Sequence, residues 1–151
     1  RVINFSSDRF ARVLSEQRGI PLEDAHNLAQ RIGLAGPLMP DDEVYSDEVV
    51  RVTQDRLGEV ASELSDEIRR SLHYYQGQEL ASPVTDVILS GKGALVRNLA
   101  AHMTEALSVP VTIANPLVHL AENESKTSDA DLTFMAPYLS VAMGLAMPEE
   151  E

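Results

Sequence analysis

The sequence predicts an α/β fold with a mixed or parallel sheet, flanking helices and a small helical subdomain. Three observations predict it. Short β-branched runs occur at residues 2–5, 84–89 and 109–113. A helix-length stretch separates the second run from the third, and strand–helix–strand with short turns implies a parallel pair with a right-handed crossover. Between the first and second runs, residues 44–76 carry apolar side chains at helical spacing.

Each element has a local reason. Val2-Ile3-Asn4-Phe5 reads as a strand, and Ser6-Ser7-Asp8 then offers helix-capping oxygens. A helix follows, with Phe10, Val13 and Leu14 on one face, and stops at Gly19. Pro21 opens the next helix at a first-turn position, where Glu23 and Asp24 favour its positive end. Its stripe is Leu22, Ala25, Leu28, Ala29 and Ile32, and Gly33 ends it. Gly36-Pro37 through Pro40-Asp41-Asp42 is a turn-rich break.

The long helix places Leu57, Val60, Ala61, Leu64, Ile68, Ser71, Leu72 and Tyr75 along one face. Asp47/Arg51 and Asp66/Arg70 are pairs four apart, each worth about 0.3 kcal/mol. Gly58 lies inside this helix, either as a tolerated surface glycine or as a point of close backbone packing. Tyr74 and Tyr75 are expected to anchor the helix on the sheet, and Gly77 stops it.

Residues 84–89 read as a strand of the buried type. Ser90-Gly91-Lys92-Gly93 is a turn, and residues 94–107 form a helix with Leu95, Leu99, Met103 and Leu107 four apart. After the strand at 109–113, Asn115-Pro116 begins an acidic, polar loop that reaches Asp131. Residues 134–147 read as a final helix with small Ala136, Ser140 and Gly144 opposite bulky neighbours. The expected organisation is one fragment over 1–151. Residues 6–45 are its helical subdomain, residues 1–5 and 46–147 its sheet-and-helix core, and residues 148–151 an acidic tail. A strand at the very start needs neighbours, and Arg1 stands in place of Met. The chain is therefore expected to be a piece of a longer protein whose missing part lies N-terminal.

Composition excludes several classes. The net charge of −12 repels phosphate backbones and anionic lipid, so no nucleic acid is expected as a partner. With no cysteine there is no disulfide framework or thiolate metal site. No apolar run approaches the roughly 20 residues of a bilayer span, so no direct membrane insertion is expected. His26, His73, His102 and His119 are scattered over different elements without ligand spacing. Asp129 and Asp131 lie among Ser, Thr and Asn, as a solvated loop does. No Ser/His/Asp arrangement or nucleophile elbow can be proposed.

The piece that carries chemistry is Val87-Ile88-Leu89-Ser90-Gly91-Lys92-Gly93-Ala94-Leu95, where a buried strand meets a glycine turn that opens a helix. Gly91 and Gly93 have no Cβ to keep a ligand off the backbone, and a helix N-terminus favours negative charge. The same turn can serve only to make the corner, and the local sequence does not choose between the two.

The surroundings extend the pattern. Asp66-Glu67-Ile68-Arg69-Arg70-Ser71-Leu72-His73-Tyr74-Tyr75 ends the long helix before the glycine turn. Pro110-Val111, Asn115-Pro116 and Ala136-Pro137-Tyr138-Leu139-Ser140-Val141-Ala142-Met143-Gly144-Leu145-Ala146 follow it. This series resembles the C-terminal half of the PilM family of type IV pilus assembly proteins, in the actin-like ATPase superfamily. There an E-I-x-R-S-L-x-Y-Y helix end precedes an L-S-G-G-G-A turn, and an A-P-x-x-x-V-A-x-G-L-A helix closes the chain. The resemblance covers essentially all 151 residues, more weakly at the front.

The resemblance implies the second lobe of an actin-like (ribonuclease H-like) fold, beginning after that lobe's phosphate loop. In the superfamily, nucleotide lies in a cleft between two lobes. The candidate nucleotide-binding residues it implies are Gly91, Lys92, Gly93 and Ala94 in the adenosine turn, with Ser6, Ser7 and His26. The chain departs from the pattern in three places: Ser6-Ser7 replaces a glycine pair, Lys92 replaces the middle glycine, and His26 and Ala29 stand where Glu and Lys are expected. ATP and Mg²⁺ are implied for the parent protein only. No catalytic or metal-ligating residue is expected here, and the parent is at most a weak ATPase. The implied role is a cytoplasmic scaffold, peripheral at the inner membrane through the tail of a PilN-like assembly protein, with self-association surfaces. Two other readings stand beside it: a small-molecule kinase of the sugar/acetate kinase superfamily, and an interaction module that binds no ligand.

Overall fold

The computed structural model describes residues 3–36, 45–120 and 122–147. Helix α1 spans Asp8–Arg18 and α2 spans Leu22–Arg31. The long α3 covers Asp47–Gln76. Strand β1 (Val87–Leu89) leads into a 3-10 turn at Lys92–Leu95 and then α4 (Leu99–Leu107). Strand β2 (Val111–Ile113) and a 3-10 turn at Pro116–His119 follow. The last elements are α5 (Asp129–Met135), a 3-10 turn at Ala136–Tyr138, and α6 (Ser140–Ala146).

One apolar cluster joins these parts. Phe10, Ala11 and Leu14 of α1 meet Ala25, Leu28 and Ala29 of α2. Leu57, Val60 and Ala61 of α3, Leu99 and Met103 of α4, and Val111 of β2 complete it. Apart from Ala11 and the strand residue Val111, these are positions that the helical spacing assigns to buried faces. Thr53 and Ser65, both fully buried, interrupt the apolar face of α3. Each is satisfied: Arg18 Nη2 donates to Thr53 Oγ1 at 3.0 Å, and Ser65 Oγ donates to the Ala61 carbonyl at 2.8 Å. Arg18 also reaches the Val49 carbonyl at 3.0 Å, so it ties α1 to the first turns of α3. At the other end, Arg69 Nη2 donates to the Ala106 carbonyl at 2.6 Å and ties α3 to the last turn of α4.

The sheet among the described residues is the parallel pair β1–β2, with Val87 opposite Val111, Ile88 opposite Thr112 and Leu89 opposite Ile113. The parallel strand–helix–strand unit is thus present, with shorter strands than expected. It is not doubly buried: Ile88 is 64% exposed. The first expected strand is absent over its described part. Ile3, Asn4 and Phe5 are irregular, because no neighbouring strand pairs with them. Phe5 instead turns back, its N–H bonding the Ile3 carbonyl at 2.9 Å and its ring meeting Phe10 edge-on at 5.7 Å.

Two expected helices are broken. Residues 94–107 do not run as one helix, since Val96 is extended and Asn98 is left-handed at φ 62°. The break is held from outside. Leu34 N–H donates to the Arg97 carbonyl at 3.0 Å, and Asn98 Nδ2 donates to the Leu34 carbonyl at 3.0 Å. Asn tolerates this backbone region better than most side chains. Residues 134–147 divide at Pro137, which has no N–H to continue a helix. The acidic loop is shorter than expected because α5 starts at Asp129. There Ser128 Oγ caps the Asp131 N–H at 3.1 Å and Asp129 accepts from Asn123 Nδ2 at 2.7 Å.

Smaller corrections concern α2 and α3. Pro21 sits at the cap position of α2, its carbonyl accepting from Ala25 N–H at 3.0 Å. On α3, Asp66 pairs with Arg69 and Arg70 with Glu67, three apart rather than four. Tyr74 and Tyr75 do not anchor the helix on the sheet, being 67% and 40% exposed on its last turn, where the Tyr75 hydroxyl accepts from the Ser82 N–H at 3.3 Å. The turn-rich break at 37–42 and the tail at 148–151 lie outside the described residues.

Gly58 is the surface glycine of the two readings, since a Cβ added there meets nothing within 4 Å. Gly58→Ala is therefore expected to stabilise the chain by about 0.5–1 kcal/mol through helix propensity alone. A rise in the urea midpoint at unchanged slope would show it, and a fall would mean that the glycine has a packing role.

Candidate functional site

The strand–turn corner opens onto a cleft of about 240 Å³, lined by Phe5, Ser7, Phe10, Leu64, Leu89, Ser90, Gly91, Lys92, Gly93, Ala94 and Leu99. Apolar side chains from the N-terminal segment, α1, α3, β1 and α4 form its body. The glycine turn forms one wall, and Lys92 is the single charged lining residue. The local sequence explains the wall. Gly91 has φ 79° and ψ −175°, a region open essentially to glycine alone. Gly93 lies so close to Ser7 that an added Cβ would stand 3.2 Å from the Ser7 Cβ.

Of the residues that the sequence nominated, Ser7, Gly91, Lys92, Gly93 and Ala94 converge on this cleft. Ser6 and His26 do not line it. Ser6 Oγ accepts from the Asp8 N–H at 3.2 Å, and His26 Nε2 lies 3.0 Å from Asp8 Oδ1. These two therefore act on α1, and the second contact clasps α1 to α2. The turn opens a 3-10 segment rather than the α-helix the sequence suggested, so the helix-end charge expected there is not built.

Sequence reasoning missed three features. Phe5 and Phe10 form apolar lining, and the only signal was their apolar character. Gly91 N–H is committed to the Pro137 carbonyl at 2.8 Å, a contact between distant segments that no local pattern announces. Arg97 and Asn98 bind the 31–34 segment, and the signal available was an Asn inside a supposed helix.

The donor set determines what the cleft can hold. A flat, mostly uncharged group can lie against Gly91 and Gly93 with apolar contact from Phe5, Phe10 and Leu64. A Mg²⁺–triphosphate does not fit this lining. It contains no carboxylate, it offers one exposed lysine, and the Gly91 amide is already used. Among the described residues no group of three or more His, Asp or Glu could hold a metal ion.

Comparison with known proteins gives the family and the fold. A solved structure described as a PilM–PilN type IV pilus biogenesis complex superposes with a TM-score of 0.73 at 26% identity. The match covers 97% of this chain and 37% of that one, so the 151 residues span little more than a third of the matched chain. The family model for type IV pilus assembly protein PilM matches residues 51–150, from the second turn of α3 to the last residue but one. With two strands paired in parallel, the glycine corner in a cleft and 100 of 151 residues matched, the chain belongs to the PilM family.

Proposed function

We propose that this chain serves type IV pilus assembly as the second, nucleotide-facing lobe of an actin-like scaffold. The observation that carries the reading is the PilM family match over residues 51–150. One structural neighbour is described as a PilM–PilN type IV pilus biogenesis complex. By analogy, the protein built from this chain engages the tail of a PilN-like inner-membrane protein and sits at the membrane through it. No described helix is long and apolar enough to cross a membrane.

The cleft at Gly91–Ala94 supports a wall for the adenosine part of a nucleotide. The phosphates and Mg²⁺ would be gripped by groups outside these residues, so the chain by itself does no ATP chemistry. The family match favours this reading over the small-molecule kinase. A second reading, an interaction module without ligand, is favoured by the small cleft and the engaged Gly91 amide.

Two measurements test the proposal. Removing the gene should abolish surface pili, with recovery on re-expression, and piliation unchanged by the loss would end the pilus reading. Amide NMR with added adenosine or ATP–Mg²⁺ should shift Gly91 to Ala94 first, with no phosphate release. Lys92→Gly, which restores an all-glycine turn, should tighten that binding. Turnover by the isolated chain would overturn the expectation of no chemistry, and an unperturbed turn would select the ligand-free module.

A further inference from the structure

A second cleft, of about 470 Å³, opens between α3, α4 and residues 34–36. It is about twice the size of the cleft at the glycine turn and shares no lining residue with it. Helical spacing builds two of its walls. Gln54, Gly58 and Ser62 recur every four residues on α3, and Ala101 and His102 lie one turn from Glu105 on α4. Small residues leave the space open, since a Cβ added at Gly58 meets nothing within 4 Å. The third wall is held by backbone. Leu34 N–H bonds the Arg97 carbonyl at 3.0 Å, and Asn98 Nδ2 bonds the Leu34 carbonyl at 3.0 Å. The walls are therefore fixed by tertiary bonds and helix packing.

The polar lining of this cleft is unspent. Gln54, Asp55, Ser62 and Glu105 make no side-chain hydrogen bond or ion pair to another described residue. His102 also lines the cleft, and its Nε2 is buried without a hydrogen-bond partner. Folded proteins leave few such groups bare, and the exceptions call for an occupant that the protein itself does not supply. Asp55, Ser62 and Glu105 are exposed, so a ligand can enter from solvent.

The lining chemistry selects the ligand. Two carboxylates and no Lys or Arg face the space, so an anion is repelled. The Gln54 amide oxygen, the Ser62 hydroxyl and the imidazole add uncharged acceptors. A donor-rich cation meets all of these, and a short aliphatic stem can lie on Leu34 and Ala101. A metal ion does not suit the set, because among the described residues no group of three or more His, Asp or Glu could hold one. We propose that this cleft binds a small organic cation, an aliphatic amine or guanidine. Its charged end lies between Asp55 and Glu105, with His102 at the wall. The site is separate from the glycine turn, so its failure would leave the proposed function untouched.

The test titrates the intact 151-residue chain with agmatine and with putrescine. Butyrate is the control, because it keeps an aliphatic stem and reverses the charge. The amides of Gly58 and Ala101 and the His102 imidazole should shift saturably in NMR with either cation and stay still with butyrate. Asp55→Asn and Glu105→Gln, both at exposed positions, should each weaken binding about three- to fivefold, the modest loss expected where solvent screens the charge. Gly58→Met fills the cleft from a helix position with no steric obstacle. It should weaken binding by about tenfold or more without lowering the urea midpoint. The proposal is overturned if neither cation gives a saturable shift by about 10 mM, or if butyrate shifts the same signals. Affinity unchanged in the Asp55→Asn, Glu105→Gln double variant would also overturn it, and that variant leaves the packing alone. So would binding that survives Gly58→Met in a chain that stays folded.

Discussion

Gly33→Ala is expected to cost about 2–5 kcal/mol, enough to take most of the stability of a domain this size. Two terms add. Gly33 has φ 66°, where a Cβ is penalised by about 1–2 kcal/mol. The new Cβ would also lie 2.4 Å from both the Cβ and the carbonyl oxygen of Arg97, and overpacking of that kind costs about 1–3 kcal/mol. The obstacle is backbone, so it cannot rotate away. Relief requires separating residues 33–34 from 97–98, which breaks the Leu34–Arg97 and Asn98–Leu34 hydrogen bonds that join the helical pair to α4. Gly36→Ala is a useful control. Its φ of 157° also disfavours a side chain, but its Cβ would meet the amide end of the Asn98 side chain, which can swing aside at the cost of its hydrogen bond to Leu34, about 0.5–1.5 kcal/mol, and needs no backbone separation. Urea unfolding of the two variants should show a much larger midpoint loss for Gly33→Ala. Equal midpoints would refute the join as a point of close backbone approach.

Phe10→Ala is expected to cost about 3–5 kcal/mol, the range for deleting a buried aromatic ring. Phe10 is 1% exposed, it meets Phe5 edge-on, and it belongs to the cluster shared by the helical pair and the long helix. The substitution also removes a wall of the cleft at Gly91–Ala94. Phe10→Leu keeps most of the volume and should cost no more than about 1.5 kcal/mol. If the cleft takes an adenosine ring, Phe10→Leu should still weaken that contact while the chain stays folded. Thermal or urea unfolding together with the NMR titration separates the two effects. A Phe10→Ala variant with wild-type stability would place the ring outside the core.

Much of the fold was legible because its signals are local. Apolar spacing and the glycines near their ends mark α1, α2 and α3 within the neighbouring sequence, although the N-cap residues of α1 and α2, Ser7 and Pro21, make no side-chain capping bond. Leu57, Val60 and Ala61 are buried as their period requires, and Gly19 and Gly33 adopt the left-handed backbone that a stop glycine supplies. Errors came where a segment's conformation depends on a distant partner. Ile3 to Phe5 have strand propensity but no strand beside them. Residues 94–107 have helical spacing, yet the carbonyl and amide contacts of Leu34 hold residues 97–98 out of a helix.

The candidate site divides in the same way. By itself the sequence determined the glycine corner after a strand, the family pattern around it, and an acidic chain without thiols. Only the tertiary structure decided that Ser7 closes on Gly93 and that Gly91 is tied to Pro137, while His26 turns away to Asp8. It also left Ile88 and Leu145 bare. The physical reason is range. Backbone propensity and apolar period act over a few residues, whereas a cleft wall or an uncovered face is set by which remote segments meet, and a linear pattern does not record those meetings.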